Sequence, residues 1–393
     1  MTDAGKIARI RMAMPVTGKS IYLNTGAVGP LANVTVEVMS QAIEFEHEVG
    51  RASPGAWGGK AEAKTNLRAA FARLAHAPVE TIALTYHTTN GVNIVAHGLD
   101  WQAGDKIITT NLEHPGGLIP LYILQQRRGV KVKVVHITAE DSSDDIVARF
   151  EAALSPRTRL MAFSHVAWNL GIRLPLEAIV ALGHRHGVFS LVDGAQSAGA
   201  IPLDLPASGV DFYAMPGQKW LCGPEGIGAL YVRSDRVPEL AQTFVGYASL
   251  NEGQYDYAGH FTPGPGAQRY EMGTVNVPNI KAMVANLAWL ENWVGWNWVH
   301  ARTAQLADYT REALTGLPGV TLVTPPGQHA GLTSFTLEGH DPEPVCAQLA
   351  ESGIVLRTIK DPACLRISTG FFNTEGEINR LMAGLETIIQ AER

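Results

Sequence analysis

Two residues carry the clearest chemistry. Asp193 ends Val188-Phe-Ser-Leu-Val-Asp193-Gly-Ala-Gln196-Ser, and Lys219 lies just past the end of Asp211-Phe-Tyr-Ala-Met-Pro-Gly-Gln218-Lys219-Trp. Both stretches read as short strands that finish in polar groups. The first is a charge-poor run of Val, Phe, Leu and Val, as in a strand buried on both faces, and parallel strands deliver their C-terminal residues to a ligand crevice. A lysine amine forms a Schiff base with an aldehyde, and a carboxylate on the same rim keeps a pyridine nitrogen protonated. Together they suit pyridoxal phosphate (PLP), whose protonated ring acts as an electron sink.

Other strand ends bring further groups to that rim. Thr81-Ile-Ala-Leu-Thr85 reads as a strand running into Tyr86-His-Thr88-Thr89-Asn90-Gly91 and a helix from about Val92. Hydroxyls at a helix N-terminus form an anion site, because free N–H groups and the helix dipole converge there. Thr88, Thr89 and Asn90 are thus the expected seat of a phosphate. Asp105–Thr110 is a strand leading into His114, whose imidazole could lie flat against a ring, and Leu160–Ser164 leads into His165-Val-Ala-Trp168-Asn169. The glycines of Thr25-Gly-Ala-Val-Gly-Pro30 suit either a close backbone approach or an ordinary turn before the helix that follows.

Other chemistries fit less well. Val16-Thr-Gly-Lys-Ser20 has the tail of a P-loop, but Ala13 stands where its first glycine belongs. Gly223-Pro-Glu-Gly226-Ile-Gly228 has its glycines in the wrong order for a dinucleotide fingerprint. The three cysteines, Cys222, Cys346 and Cys364, form no CxxC pair, so neither a disulfide framework nor a zinc site is expected. His184-Arg-His186 reads as the polar end of a helix, and no metal site is expected.

The chain has 393 residues, 46 % hydrophobic and 17 % charged, with a net charge of −6. That composition supports a large core and provides no electrostatic reason to bind nucleic acid or an anionic membrane. The basic cluster Arg127–Lys133 alternates with valines and reads as the wet face of a strand. Residues 1–14 lack an apolar h-region, and no run has the length of a membrane span, so a cytoplasmic protein is expected.

Strands and helices alternate from residue 81 to 232, which predicts an α/β fold with a mostly parallel sheet and helices on both faces. A Gly-, Tyr- and Pro-rich stretch at 247–266 reads as a functional loop or subunit contact, and a long helical region covers about 279–316. Strands at 319–323, 332–337, 354–358 and 364–367, with helices at 342–352 and 375–391, predict a smaller α+β unit. The expected division is a large domain over 20–270 and a small one over 1–19 and 271–393.

With these residues collected, the chain resembles the fold-type I PLP enzymes of the class V aminotransferase group. That group includes cysteine desulfurases, isopenicillin N epimerase-like proteins and cysteine/cystine C–S lyases, and the likeness is greatest to the C–S lyases. It covers nearly all of 20–390 and is densest at Asn169, Val192–Gly199, Gly217–Gly228 and Leu356–Arg366. The resemblance implies that Lys219 is the Schiff-base lysine and removes the Cα proton. Asp193 would pair with the ring nitrogen, Gln196 would bond the ring hydroxyl and His114 would stack on the ring. Thr89 and Asn90 would hold the phosphate, joined by Thr274 from a neighbouring subunit, so a homodimer with active sites at the subunit interface is implied. Arg366, helped by Asn169, would grip the α-carboxylate of an amino-acid substrate, and Arg357 could bind a second carboxylate.

The implied reaction is β-elimination, giving pyruvate, ammonia and a sulfur product, with aminotransferase, epimerase and desulfurase activities as alternatives. Two departures from the group stand out. Pro216 and Gln218 replace a hydroxyl residue and a histidine before the lysine; Pro216 offers no hydroxyl or N–H, while the Gln218 amide can donate to a phosphate. Desulfurases carry a nucleophilic cysteine on a loop where this chain has only Thr358–Ala363, and Cys364, two residues before Arg366 on one strand, is expected to share its face and to be structural.

Overall fold

The computed structural model describes residues 2–327 and 330–391. In chain order, α1 (Asp3–Ala13) and β1 (Ile21–Tyr22) precede α2 (Asn33–Val49) and α3 (Pro54–Leu74). There follow β2 (Ile82–Thr85), α4 (Thr88–Gly98), β3 (Lys106–Thr110), α5 (Pro115–Arg128), β4 (Lys131–Val135), α6 (Ser143–Ala153), β5 (Thr158–Ser164) and α7 (Leu176–Arg185). Next come β6 (Phe189–Asp193), the single turn α8 (Leu205–Ser208), β7 (Phe212–Pro216) and β8 (Gly228–Val232). A hairpin, β9 (Leu250–Tyr255) and β10 (Phe261–Pro263), leads to α9 (Val277–Trp289) and α10 (Trp296–Thr315). The chain then forms β11 (Val320–Leu322), β12 (Leu332–Leu337), α11 (Pro342–Glu351), β13 (Ile354–Val355), β14 (Arg357–Lys360), β15 (Ala363–Ser368) and α12 (Glu375–Ala391).

The large sheet runs β2-β8-β7-β6-β5-β3-β4, parallel from β7 to β4, with β8 antiparallel to both its neighbours. Alternate residues of each strand feed opposite faces. Val192, Tyr213 and Met215 pack with α3, α6 and α7, while Leu191, Phe212 and Ala214 pack with α4 and α5. Both faces are therefore covered, which is why β6 and β7 read as apolar runs without a polar side. The architecture is α/β with a mostly parallel sheet, as expected.

This winding places Thr110, Ser164, Asp193 and Pro216 at one rim. Ser164 pairs with Asp193, Asp193 with Ala214, and Pro216 with Gly228 across the strands. The glycine loop near residue 29 packs directly beneath it. The Gly29 N–H donates to the Gln218 carbonyl at 2.7 Å, and a Cβ at Gly29 would collide with the Lys219 carbonyl. Close backbone approach, rather than a turn alone, accounts for that glycine.

The smaller sheet, β11-β12-β15-β14, is antiparallel throughout. Its core joins β12 and β15 to α10, α11 and α12 through Phe335, Leu365, Leu349 and Leu381. β1 pairs in parallel with β13 in a separate two-stranded sheet, which ties residues 21–22 to the C-terminal part of the chain.

Several boundaries differ from expectation. α4 starts at Thr88 rather than Val92, because the His87 imidazole caps it, its Nδ1 accepting the Asn90 N–H at 3.1 Å. The expected helix over 279–316 is broken by a π turn at Leu290–Val294 and by Gly295 at φ +81°, a backbone conformation open to glycine. The 247–266 stretch contains a hairpin. α1, unforeseen, is held by Arg11, which pairs with Glu377 at 2.9 Å.

Candidate active site

Loops from five strand ends, β2, β3, β5, β6 and β7, meet the β14–β15 hairpin around a cavity of about 410 Å³. Its walls include Thr88, Thr89, His114, Ser164, Trp168, Asp193, Gln196, Gln218, Lys219, Arg357 and Arg366. Most of the expected residues are thus brought together from distant parts of the chain.

Asp193 is buried there and Lys219 is partly buried. Burial pushes the Lys219 amine down to about 8; Asp193 opposes that shift, and Arg366 and Arg357 reinforce it. Burial pushes the Asp193 carboxyl up, while Lys219 and the Ala195 N–H pull it down. That N–H donates to Asp193 Oδ1 at 2.8 Å, and among the described residues no protein donor reaches Oδ2. The acid therefore has one oxygen left for a ligand.

Arg366 is fully buried on β15, opposite Arg357 on β14. Its Nη1 donates to the Trp168 carbonyl at 2.6 Å, while Nε and Nη2 have no partner among the described residues. Desolvation, with Arg357 beside it, lowers its pKa to about 9. Two unpartnered guanidinium donors in a cavity are an anion site awaiting a ligand, and their geometry suits a carboxylate held by two bonds. The Arg357 guanidinium lies 5.6 Å from the centre of the Trp168 ring, which His114 meets edge-on at 5.1 Å.

Two expected residues, Asn169 and Asn90, are placed differently from their expected roles, while Gln196 lines the cavity. Asn169 does not line the cavity. Its Nδ2 donates to the Asp361 carbonyl at 3.3 Å and its Oδ1 accepts the Leu170 N–H, so it clasps the β14–β15 turn, while the Trp168 carbonyl contacts Arg366. The Asn90 side chain turns away to accept the Tyr86 N–H at 3.2 Å, which leaves Thr88 and Thr89 at the cavity. The Gln196 amide is engaged at both ends, donating to the Gly26 carbonyl and accepting the Trp220 indole N–H, each at 2.9 Å; one amide hydrogen remains. Thr274 lies outside the cavity, its hydroxyl 3.3 Å from that of Tyr247.

The expected cofactor can be tested against these atoms. Thr88 Oγ1 and Gln218 Oε1 are buried without partners, and the first N–H groups of α4 open beside them. An amide whose oxygen lacks a partner can turn its NH₂ toward a phosphate. A Cβ at Gly117 would sit 3.4 Å from Asp193 Oδ2, so the N-terminus of α5 closes over the acid. The His114 Nδ1 accepts the Gly116 N–H at 3.0 Å, fixing its imidazole at the cavity wall as the cap of α5. An amine, an acid with a free oxygen, a ring-sized wall and an anion seat with unpartnered donors fit PLP.

Cys364 is fully buried on β15, with its thiol pushed up to about 11 by burial. Lys360 pairs with Ala363, so the connection beside it is only Asp361–Pro362. Among the described residues no cluster of three or more His, Cys, Asp or Glu could hold a metal, and no helix is long and apolar enough to cross a membrane.

Trp168 and Ser164 are wall residues not singled out among the expected site residues. Their position at the end of β5, on the same rim as the others, is the signal that marks them. Gly26 and Ala27 reach the cavity through the close approach of the glycine loop.

Sequence comparison assigns the class: residues 21–381 match the aminotransferase class-V family, and the chain belongs to it. Among solved structures, the cystine C–S lyase C-DES in complex with its reaction product cysteine persulfide superposes with a TM-score of 0.89 at 34 % identity, covering 94 % of this chain and 98 % of that one. A C-DES mutant with glycine covalently linked to the PLP cofactor gives 0.90 at 34 % identity, covering 95 % and 98 %. A cysteine desulfurase of Klebsiella pneumoniae is 30 % identical over 97 % of this chain and 98 % of its own. A "probable cysteine desulfurase" of Mycolicibacterium paratuberculosis is also 30 % identical, but the chain spans only 58 % of that protein's length.

Proposed function

We propose that this enzyme uses PLP, joined to Lys219, to catalyse β-elimination on a sulfur-bearing amino acid of the cystine class, releasing pyruvate, ammonia and a sulfur product. The observation that carries this reading is the fully buried Arg366, with two unpartnered donors, in one cavity with the depressed amine of Lys219 and the half-free carboxyl of Asp193.

When bound, PLP supplies an aldehyde for the substrate amine and a ring that takes up the electron pair released at Cα. Asp193 would hold the proton on the ring nitrogen through Oδ2. Thr88, Thr89 and Gln218 would hold the phosphate, and the remaining Gln196 amide hydrogen would be available to the ring hydroxyl. Arg366 binds the substrate α-carboxylate, and this fixes the Cα–H bond relative to Lys219. Displaced from the cofactor by the substrate amine, Lys219 would then be free to take the Cα proton. With a pKa of about 8, a useful fraction of its amine is free base near neutral pH, unlike a solvated lysine at about 10.4. The Cβ–S bond breaks with its electron pair leaving on sulfur, and water completes the release of pyruvate and ammonia. Arg357, opposite Arg366, suits the second carboxylate of a cystine-like substrate.

A homodimer completes the site in this reading. Val36, Ile43, Phe45 and Val49 expose apolar surface on α2, Trp57 and Tyr247 continue it, and Thr274 lies beside that surface and outside its own cavity. We place the large unit at 20–270 and the small at 1–19 and 271–393, and the site of action in the cytoplasm.

Desulfurase activity is the second reading, favoured by the names of the relatives. The sealed position of Cys364 and its two-residue turn favour elimination instead. Incubation of the PLP-loaded protein with L-cystine and no keto acid distinguishes the outcomes. Continuing, equal release of pyruvate and ammonia supports elimination. Alanine with persulfide on the protein, when L-cysteine replaces L-cystine, marks a desulfurase, and one turnover ending in pyridoxamine phosphate marks an aminotransferase.

A further inference from the structure

A second buried carboxyl lies behind the cavity wall. Glu113, one residue before His114, is 9 % exposed. Its Oε1 accepts from Thr110 Oγ1 at 2.5 Å and from the Ser164 N–H at 3.1 Å, and its Oε2 accepts from Ser164 Oγ at 2.6 Å. The Thr110 hydroxyl oxygen already receives the Leu112 N–H at 3.1 Å, which orients its own hydrogen toward Glu113. Three converging donors on a carboxyl are the pattern of an anion rather than of a neutral acid.

Its position couples it to the site. Ser164 pairs directly with Asp193 across β5 and β6 and itself lines the cavity. Burial and the Asp193 charge together push the Glu113 pKa up to about 7 against the pull of its donors, so the charge is held at a cost in neutral solution. His114, on the same loop, is neutral because burial and the cations Lys219, Arg357 and Arg366 lower it to about 4. His165, beside Ser164, is buried and lowered to about 3, and Tyr213 on β7 is held as a phenol by burial. Asp193 is then the charge through which Glu113 can act.

We propose that Glu113 is a positioning residue that acts on the cofactor through Asp193 and Ser164. Its negative charge behind Asp193 raises the proton affinity of the Lys219-linked cofactor, and its bonds to Thr110 and Ser164 tie the end of β3 to the end of β5. This rests on the reading that PLP occupies the cavity. A merely structural glutamate would leave the cofactor's ionisation unchanged, whereas removing a nearby negative charge lowers the pKa of a protonated group.

The test is a pH titration of the visible absorption band of the PLP-loaded protein, compared with Glu113→Gln, Glu113→Asp and Thr110→Val. Glu113→Gln should move the midpoint down by roughly one pH unit, the shift expected for one charge at short range in a protein interior. Thr110→Val, which removes one donor and lies off the cavity wall, should move it in the same direction by less, and Glu113→Asp should restore part of it. Thr110→Val answers the question alone if Glu113→Gln does not fold. An unmoved midpoint in both folded, loaded variants overturns the proposal by itself. A wild-type protein with no such band overturns the cofactor reading and the proposal together.

Discussion

Arg357 and Arg366 face each other directly across β14 and β15, and both guanidinium groups open into the cavity that holds Lys219. In an antiparallel pair, opposed residues share one face of the sheet, so the small unit presents a double cationic wall to the rim of the large one.

The two arginines should separate by substrate. Arg366→Lys loses the paired geometry and should raise KM for any amino acid by about 10- to 100-fold, since charge-assisted hydrogen bonds contribute roughly 1.5–3 kcal/mol each. Arg357→Ala should raise KM for L-cystine by about 10-fold on the same scale and leave singly carboxylated cysteine derivatives nearly unaffected. Steady-state kinetics on both substrate types checks this, and equal losses on both would remove the second-carboxylate role.

Lys219 must be neutral to add to an aldehyde, so capture of PLP by the apoprotein should speed up as pH rises and level off above about 8. A lysine at the ordinary value of about 10.4 would still be gaining rate at pH 10. Arg357→Ala removes a cation that lowers this pKa, so the plateau should move to higher pH. Stopped-flow absorbance between pH 6 and 10 measures both effects.

Asp193→Asn keeps the shape and removes the charge that pairs with the ring nitrogen. PLP should still bind, while kcat falls by about 10²- to 10³-fold, the usual loss when one electrostatic partner of a developing charge is removed. Retention of full turnover would show that Oδ2 does not serve the ring.

Asn169 is expected to matter for stability rather than for substrate. Asn169→Ala removes the bond to the Asp361 carbonyl and the one from the Leu170 N–H, and should cost about 1–2 kcal/mol of unfolding free energy with KM changed less than about two-fold. Denaturant unfolding and kinetics on the same variant check the two halves.

How far the sequence could be read follows from these contacts. β6, β7 and the rim residues that close them are legible because a strand buried on both faces needs an apolar run, and the polar groups at its end stand out against it. β12 and α12 match at both ends for the same reason of burial pattern. The protein partner of Arg366 is not legible, because it is a main-chain carbonyl at Trp168, a group that every residue carries. Asn90 was misplaced because its side chain answers the Tyr86 N–H, a demand visible only once the turn is built. α1 has Ile10 alone fully buried in it and depends on Arg11 reaching Glu377 and the Phe372 carbonyl, contacts that span almost the whole chain. The β9–β10 hairpin is mostly exposed and so lacks the apolar alternation that marks a buried strand.

The central claim is that Lys219 carries PLP, and borohydride reduction of the PLP-loaded protein followed by peptide mapping tests it most directly. The account expects one pyridoxyl group per chain, on the peptide containing Lys219, and none in Lys219→Ala. A label on any other lysine, or an unlabelled protein after reduction, would contradict it.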